Sequence, residues 1–511
     1  MLELRTERDI ELLRSVALLQ QSQLAYVLER NEKLSSENAR LRGENPTQAE
    51  LDVLKEQLAQ QRQALYGRSS EKRAHEPAPV PAKAPRRGHG PTEQPNLPVE
   101  EVIHEASPEQ LVCPACGGKA GPMVEMKNQT EDSDEISVKV RSYVRKIHKR
   151  KKYRCPCNDT VVTAPGPPKL IEGGRYSVEI AAEIAAMKYL YHLPLSRQEK
   201  MMRAEGLDIT RQTLWDQLNA GAQRLQPTYD AHGRITLEGP MVHADESRWP
   251  MLVKGMTGWQ IWTRCTAQAV YFVIQPGRGT REARDALEGY AGTVIADGYR
   301  AYGAVAKERH AQGLAMDVGN CWSHGRRKFL EAKASEPVQS AIMLDLIGEL
   351  YQVEAQAPFP GPRVPPEEAE RRLALRRTLR NEKSRAIVKR IHDTLLEWQT
   401  SALPRGRIGE AVKYTLNLWP GLTRFLDDPN IPVDNNAAER SLRGPVVGRK
   451  NHYGSKSQRG TEVAAIFYTL FESAKLWGVD PARYVLTALR NAVAHPGAVT
   501  LPGDLPPEPL E

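Results

Sequence analysis

The sequence predicts a multidomain protein of mixed α+β and α/β class, on three observations. At 511 residues the chain is too long for one hydrophobic core. Its hydrophobic period changes along its length, from heptads at the N-terminus, to short β-rich runs after residue 240, to a highly charged helical pattern after 331. Proline-rich stretches separate these regions, most clearly at 73–100. Hydrophobic residues make up 40% and charged residues 26%, as in ordinary globular proteins, and the net charge of +8 favours a polyanionic partner. No stretch reaches the roughly 18 apolar residues of a membrane span, and the N-terminus lacks the apolar core of a signal peptide, so a cytoplasmic location is expected.

From Ile10 to Leu41 a heptad runs through Ile10, Ala17, Leu24, Asn31 and Asn38 on one seam and Leu13, Gln20, Val27, Leu34 and Leu41 on the other. Seam asparagines set register and partner number in coiled coils, so residues 1–72 read as a coiled coil, or leucine zipper, that makes a homodimer or higher assembly. Residues 73–100 read as a semi-extended linker. Within 101–168, Cys113 and Cys116, followed by two glycines, and Cys155 and Cys157 each supply two corners of a tetrahedron. Together they predict one structural zinc site, with His104 or His148 replacing a thiolate, or a redox dithiol, as the alternatives. Between the pairs, residues 141–154 carry eight Lys or Arg and no acid. Arg145, Lys146, Lys149, Arg150, Lys151 and Lys152 on a hairpin would form either a phosphate-contacting stripe or a solvated strand. Residues 169–235 read as helical, with "PLSRQEKMMRAEG", a turn at Gly206 and "TRQTLWDQLNAGAQRL" capped by Thr210. This is either a helix-turn-helix or two packed helices.

Residues 236–330 change to strands. "MVHADES", "GWQIWTRCT", "AVYFVIQP", "GTVIADGY" and "LAMDVGNCWSH" alternate with helix in the order expected of a mixed sheet. Asp245 is expected to end the first strand and Asp297 the fourth, with Gly298 turning the chain after it. Two acids at adjacent strand ends either meet solvent separately or share a hard, oxygen-loving cation such as magnesium or manganese. Glu246 competes with Asp245, but strand alternation sends it to the opposite face. Residues 331–429 read as a charged helical segment, 430–478 as the return to the sheet, and 479–511 as a helix with a proline-rich tail. Within 433–451, Glu439 lies among Arg440, Arg443, Arg449 and Lys450. It either pairs with Arg443 on an exposed helix face or is the third acid of a two-metal site, on a helix that Asn435 or Asn436 caps.

"HADES", "ADGYRAY", "CWSHGRRKF" and "DNNAAERSLRGPVVGRKN" resemble, in order and comparable spacing, the motif blocks of the DDE transposases of the insertion sequence 66 family. The heptads, "LYGRSSEK" at 65–72 and the cysteine pairs are similar to that family's N-terminal half. The resemblance implies a ribonuclease-H-like core in which Asp245, Asp297 and Glu439 hold two magnesium or manganese ions, with a helical insertion before Glu439. It implies strand cleavage and strand transfer on double-stranded DNA, at element ends and target, near the nucleoid and alongside small accessory proteins of the same element. Cys321 and His324 match a Cys-x-x-His element of many such enzymes, so His324 is expected to contact the scissile phosphate, to support the site, or to pack at a strand end. Arg326, Arg327 and Lys328 beside it are expected to contact DNA, as are Arg440, Arg443, Arg449 and Lys450. "HYGSKSQRG" at 452–460 departs from a more apolar segment in relatives. Two other functions fit part of the pattern: a zinc-dependent dimeric DNA-binding protein without catalysis, and a tyrosine recombinase using His324, Arg327 and Tyr351.

Overall fold

The structure, a computed structural model, describes residues 143–154, 161–402 and 406–506, together with Pro114, Ala115, Gly117, Lys119 and Met123. The heptad region, the linker and the four cysteines expected to bind zinc lie outside the described residues. Among the described residues no helix is long and apolar enough to cross a membrane.

The basic segment, mostly exposed and without regular structure over 143–151, leads into strand β1 (Lys152–Arg154), which pairs antiparallel with β2 (Val161–Thr163) over three rungs. The hairpin is thus confined to its last residues, because like charges at nearly every position give it no apolar face to bury. Helix α1 (Val178–Ala185) continues into a π-helical turn (Ala186–Leu190) and is followed by α2 (Leu195–Ala204). Gly206, at φ +87°, makes the turn to α3 (Arg211–Glu238), whose cap is the expected Thr210, its hydroxyl accepting the Thr213 N–H at 3.2 Å.

The sheet comprises β3 (Met241–Arg248), β4 (Trp259–Cys265), β5 (Val270–Pro276), β6 (Thr293–Ala296) and β7 (Asp317–Asn320) in the order β5-β4-β3-β6-β7. Strands β5, β4 and β3 form an antiparallel meander, and β6 and β7 add parallel to β3. Helix α4 (Thr280–Ala286) precedes β6, and α5 (Arg300–Ala311) makes the crossover from β6 to β7. The two helices cover one face, where Val242, Ala244, Trp262, Val294 and Ala296 are buried with Tyr302.

The chain then turns into α6 (Trp322–Ala332), so the run "LAMDVGNCWSH" is a strand only to Asn320 and His324 sits on a helix rather than at a strand end. The ladder stops there because Trp322 N–H bonds Val433 O, 2.9 Å away on the returning segment. The segment 331–429 is mostly helical, with α7 (Pro337–Ala355), α8 (Pro366–Leu379), a π-helical turn (Arg380–Ser384), α9 (Arg385–Ser401), α10 (Arg407–Asn417) and α11 (Trp419–Thr423) around a second core, and the proline-rich 356–365 joins α7 to α8 without helix. Helix α12 (Asn436–His452) crosses the sheet on the face opposite α4 and α5. Helix α13 (Gln458–Leu476) covers the outer strand β5, where Thr469 Oγ1 and Ser473 Oγ accept the Phe272 and Val270 N–H groups at 3.0 Å. Helix α14 (Pro481–Ala494) packs on α1, α3 and α13, and the proline-rich tail folds back so that Tyr484 donates to Thr500 O.

The departing stretch 452–460 joins α12 to α13. Tyr453 (φ 60°) and Gly454 (φ 84°) reverse the chain, and Ser455 Oγ accepts from the buried Trp249 indole at 3.1 Å. Polar residues suit this join, since its backbone and hydroxyl complete the end of the β3–β4 hairpin.

Candidate active site

Register places the first two acids together. His243 pairs with Ile295 across the parallel β3–β6 ladder, so two residues further on Asp245 is level with Asp297, whose charge acts on it. Strand β3 runs on to Arg248 against β4, so Asp245 lies inside the strand and not at its end as expected. The site arises because β6 stops at Ala296 and opens one side of β3. Gly298 is required twice there: its φ is +99°, and a Cβ would lie 2.7 Å from Leu418. Tyr414 of α10 donates to Asp297 O at 2.7 Å, tying the turn to the helical segment.

Each aspartate has one oxygen held by nearby backbone: Asp245 Oδ1 accepts the Glu246 N–H, and Asp297 Oδ1 the Tyr299 N–H, both at 2.8 Å. Glu246 points the other way, as alternation predicts, and is engaged by Arg278 and by Tyr302 at 2.8 Å. Burial pushes the Asp245 carboxyl up to about 7, assisted by the nearby charges of Glu246, Asp297 and Glu439.

Helix α12 brings the third acid. The cap differs from the expected one: Asp434 accepts the Asn436 N–H at 3.1 Å, and neither asparagine side chain caps the helix. Asn435, fully buried, ties three elements together instead. Its Oδ1 accepts from His243 Nδ1 at 3.0 Å, its Nδ2 donates to Ala244 O at 2.8 Å, and its backbone N–H donates to Cys321 Sγ at 3.1 Å. The bond to Ala244 O orients the amide and so makes His243 the donor; burial keeps that imidazole neutral, lowered to about 4. Two residues beyond Glu439, Ser441 Oγ meets Thr263 Oγ1 at 3.2 Å, and Thr263 is the cross-strand neighbour of Asp245. Glu439 thus comes near enough to Asp245 for its charge to act on that carboxyl, from the first turn of α12 at its positive end.

Of the two readings of Glu439, the pairing with Arg443 is not made. Its Oε1 lies 3.7 Å from His324 Nδ1, and both atoms are buried without a hydrogen-bond partner. Among the described residues Cys321, His324 and Glu439 form a group whose ligand atoms lie within 4.8 Å of one another. A divalent cation suits the acids, because burial and the charges of Glu246, Asp297 and Glu439 raise the Asp245 carboxyl and one buried Glu439 oxygen is left unsatisfied.

The basic residues divide. Arg440, Arg443 and Lys450 are exposed along α12, and Arg327 is exposed on α6. Arg449 donates to Ser247 Oγ at 3.1 Å and braces the end of β3. Lys328 lies 3.5 Å from Glu331 and over the Tyr414 ring, and Arg326 is half-buried. Arg145, Lys146, Lys149, Arg150, Lys151 and Lys152 are exposed in the N-terminal part of the described chain, Arg150 donating to Ala164 O. Tyr351 shares a 2.8 Å hydrogen bond with Ser323, and burial raises its phenol well above the usual range, an environment opposed to a nucleophile. His243, Asp434 and Tyr414 were not among the expected site residues. Only His243 had a signal, since it stands two positions before Asp245 and so shares its face.

A family profile described as "Transposase IS66 family" matches residues 173–463, which span β3 to α12 and all three acids. Uncharacterised protein y4jD of Sinorhizobium fredii is 29% identical over 421 residues, covering 80% of this chain and 78% of that protein. Uncharacterised protein y4qI of the same organism is 29% identical over 406 residues, covering 76% and 72%. No solved structure matches the chain.

Proposed function

This chain belongs to the IS66 family of transposases, and from that premise we propose that it cuts and joins DNA through Asp245, Asp297 and Glu439 in a ribonuclease-H-like core. The observation that carries the reading is the convergence of three acids from β3, the end of β6 and the first turn of α12, with Asp245 raised by burial and by its neighbours' charge. The strand order and the helical segment between β7 and α12 support it.

The three carboxylates would hold magnesium or manganese. Two such ions supply activation of an attacking oxygen and stabilisation of the departing one in an in-line phosphoryl transfer. The chain's own groups set the geometry. Asn435 fixes the height of Glu439 above β3, Tyr414 holds the Asp297 turn, and the exposed Arg440, Arg443 and Lys450 draw the phosphate backbone toward the acids. His324 stands beside Glu439, where it can orient that acid or meet a phosphate oxygen. In cleavage, water's oxygen bonds to phosphorus at the element end and the 3′ oxygen leaves. In strand transfer, that 3′ hydroxyl attacks a target phosphate and displaces the target's own 3′ oxygen, with no protein–DNA bond.

The heptads would pair protomers so that two element ends share one complex, the cysteine pairs would hold zinc, and α2 with α3 would form a helix-turn-helix. The deciding experiment is magnesium-dependent cleavage of a labelled duplex carrying the terminal sequence of the encoding element. Wild type cuts, and Glu439→Gln loses about 10³-fold or more of the rate. Equal cutting by both removes Glu439, and the triad with it.

A further inference from the structure

Two buried polar atoms without partners, 3.7 Å apart, are an unusual pair. A charge-assisted hydrogen bond between His324 and Glu439 would bring nitrogen and oxygen to about 2.8 Å, so none is formed. Cys321 Sγ completes a triangle with all sides within 4.8 Å, and this sulfur is buried and fixed by the Asn435 N–H at 3.1 Å. A tetrahedral ion with nitrogen and oxygen ligands about 2.1 Å away needs them about 3.4 Å apart, a few tenths of an ångström from what is found. Sulfur, imidazole and carboxylate suit a borderline-soft ion such as zinc, whereas magnesium takes oxygen. Three protein ligands leave one position open, as in zinc sites that admit a further group. No existing hydrogen bond to Nδ1 or Oε1 has to break for the ion to enter.

We propose that Cys321, His324 and Glu439 form a second cation site, selective for zinc-class ions, and that its filling withholds Glu439 from the oxygen-ligated ions and turns strand cleavage off. The switching half rests on the triad reading; the site itself does not. On binding, the Cys321 thiol gives its proton to solvent and its sulfur to the ion. Because Oε1 of the shared carboxylate is turned to the softer site, filling of one site weakens filling of the other.

The test is a cobalt titration of the full-length chain, freed of loosely held metal by a mild chelator, in wild type, Cys321→Ser and His324→Ala. Cobalt is spectroscopically visible when thiolate binds it, and differencing the variants removes the contribution of the other cysteines. The expected result is about one more equivalent of cobalt in wild type than in Cys321→Ser, with a stronger thiolate-to-cobalt absorption. In His324→Ala, which leaves the buried sulfur in place, affinity at this site falls about tenfold or more. Identical uptake and spectra in wild type and both variants overturn the site. With magnesium present, the zinc concentration that halves cleavage should rise at least about tenfold in Cys321→Ser, and equal sensitivity overturns the switch. If wild type cleaves nothing in magnesium, the triad and the switch fall together, while the cobalt spectrum still decides the site.

Discussion

Asp245 has the most distinctive chemistry of any single residue here. Half-buried on β3 beside other acids, its carboxyl is pushed up to about 7 by desolvation, whereas an unfolded aspartate releases its proton near 4. Between those values the folded chain binds the extra proton, so raising pH through that window lowers the stability of the metal-free protein, and above about 7 the loss is complete. A divalent cation binds the ionised form and reverses the trend. The rise in melting temperature caused by magnesium is therefore expected to be larger at pH 8 than at pH 6, and to vanish in Asp245→Asn. Calorimetry at the two pH values measures it; a shift that ignores pH, or survives Asp245→Asn, removes Asp245 from the cation site.

At the scale of elements, the height of α12 over β3 rests on Asn435. Replacing it with alanine leaves His243 Nδ1 and Ala244 O buried without partners, at a cost of about 3 kcal/mol. Urea denaturation measures that cost, and the magnesium dependence of cleavage should shift to higher concentration as Glu439 loses its register. A loss of stability with unchanged magnesium dependence would mean that Asn435 packs the core and does not position the acid. The elements themselves were readable in the sequence. Strand alternation put Asp245 and Glu246 on opposite faces, Thr210 marked a helix start, and the charged periodicity of 331–429 announced helices. Asn435 could not be read the same way. The sequence marks it as a capping type, yet its side chain spends its hydrogen bonds on residues some 190 positions away, while Asp434 takes the cap. The end of β7 was hidden for a similar reason, because Val433, not a local breaker, takes the Trp322 N–H.

Across the whole molecule, the same returning segment links the helical region to the acids. Arg376 and Arg380 are almost fully buried, share Glu354, and donate to backbone carbonyls of Phe425, Asp428, Pro429 and Ile431, with Arg376 also donating to Ala357 O. That clamp fixes the chain just before Asp434 starts α12, so packing of α7 and α8 is transmitted to the position of Glu439. Two guanidiniums with one carboxylate leave an excess positive charge, which the carbonyl oxygens offset. Glu354→Gln removes the anion and leaves both cations buried, at an expected cost of about 3–5 kcal/mol. The exposed pair of Arg390 with Glu349 is the control, since Glu349→Gln should cost under about 1 kcal/mol. Denaturation compares the two, and hydrogen exchange locates the effect: Glu354→Gln should speed exchange across residues 425–436 before the sheet loosens. Unchanged exchange there would mean that the clamp stabilises the helices alone, and that α12 takes its position from the sheet.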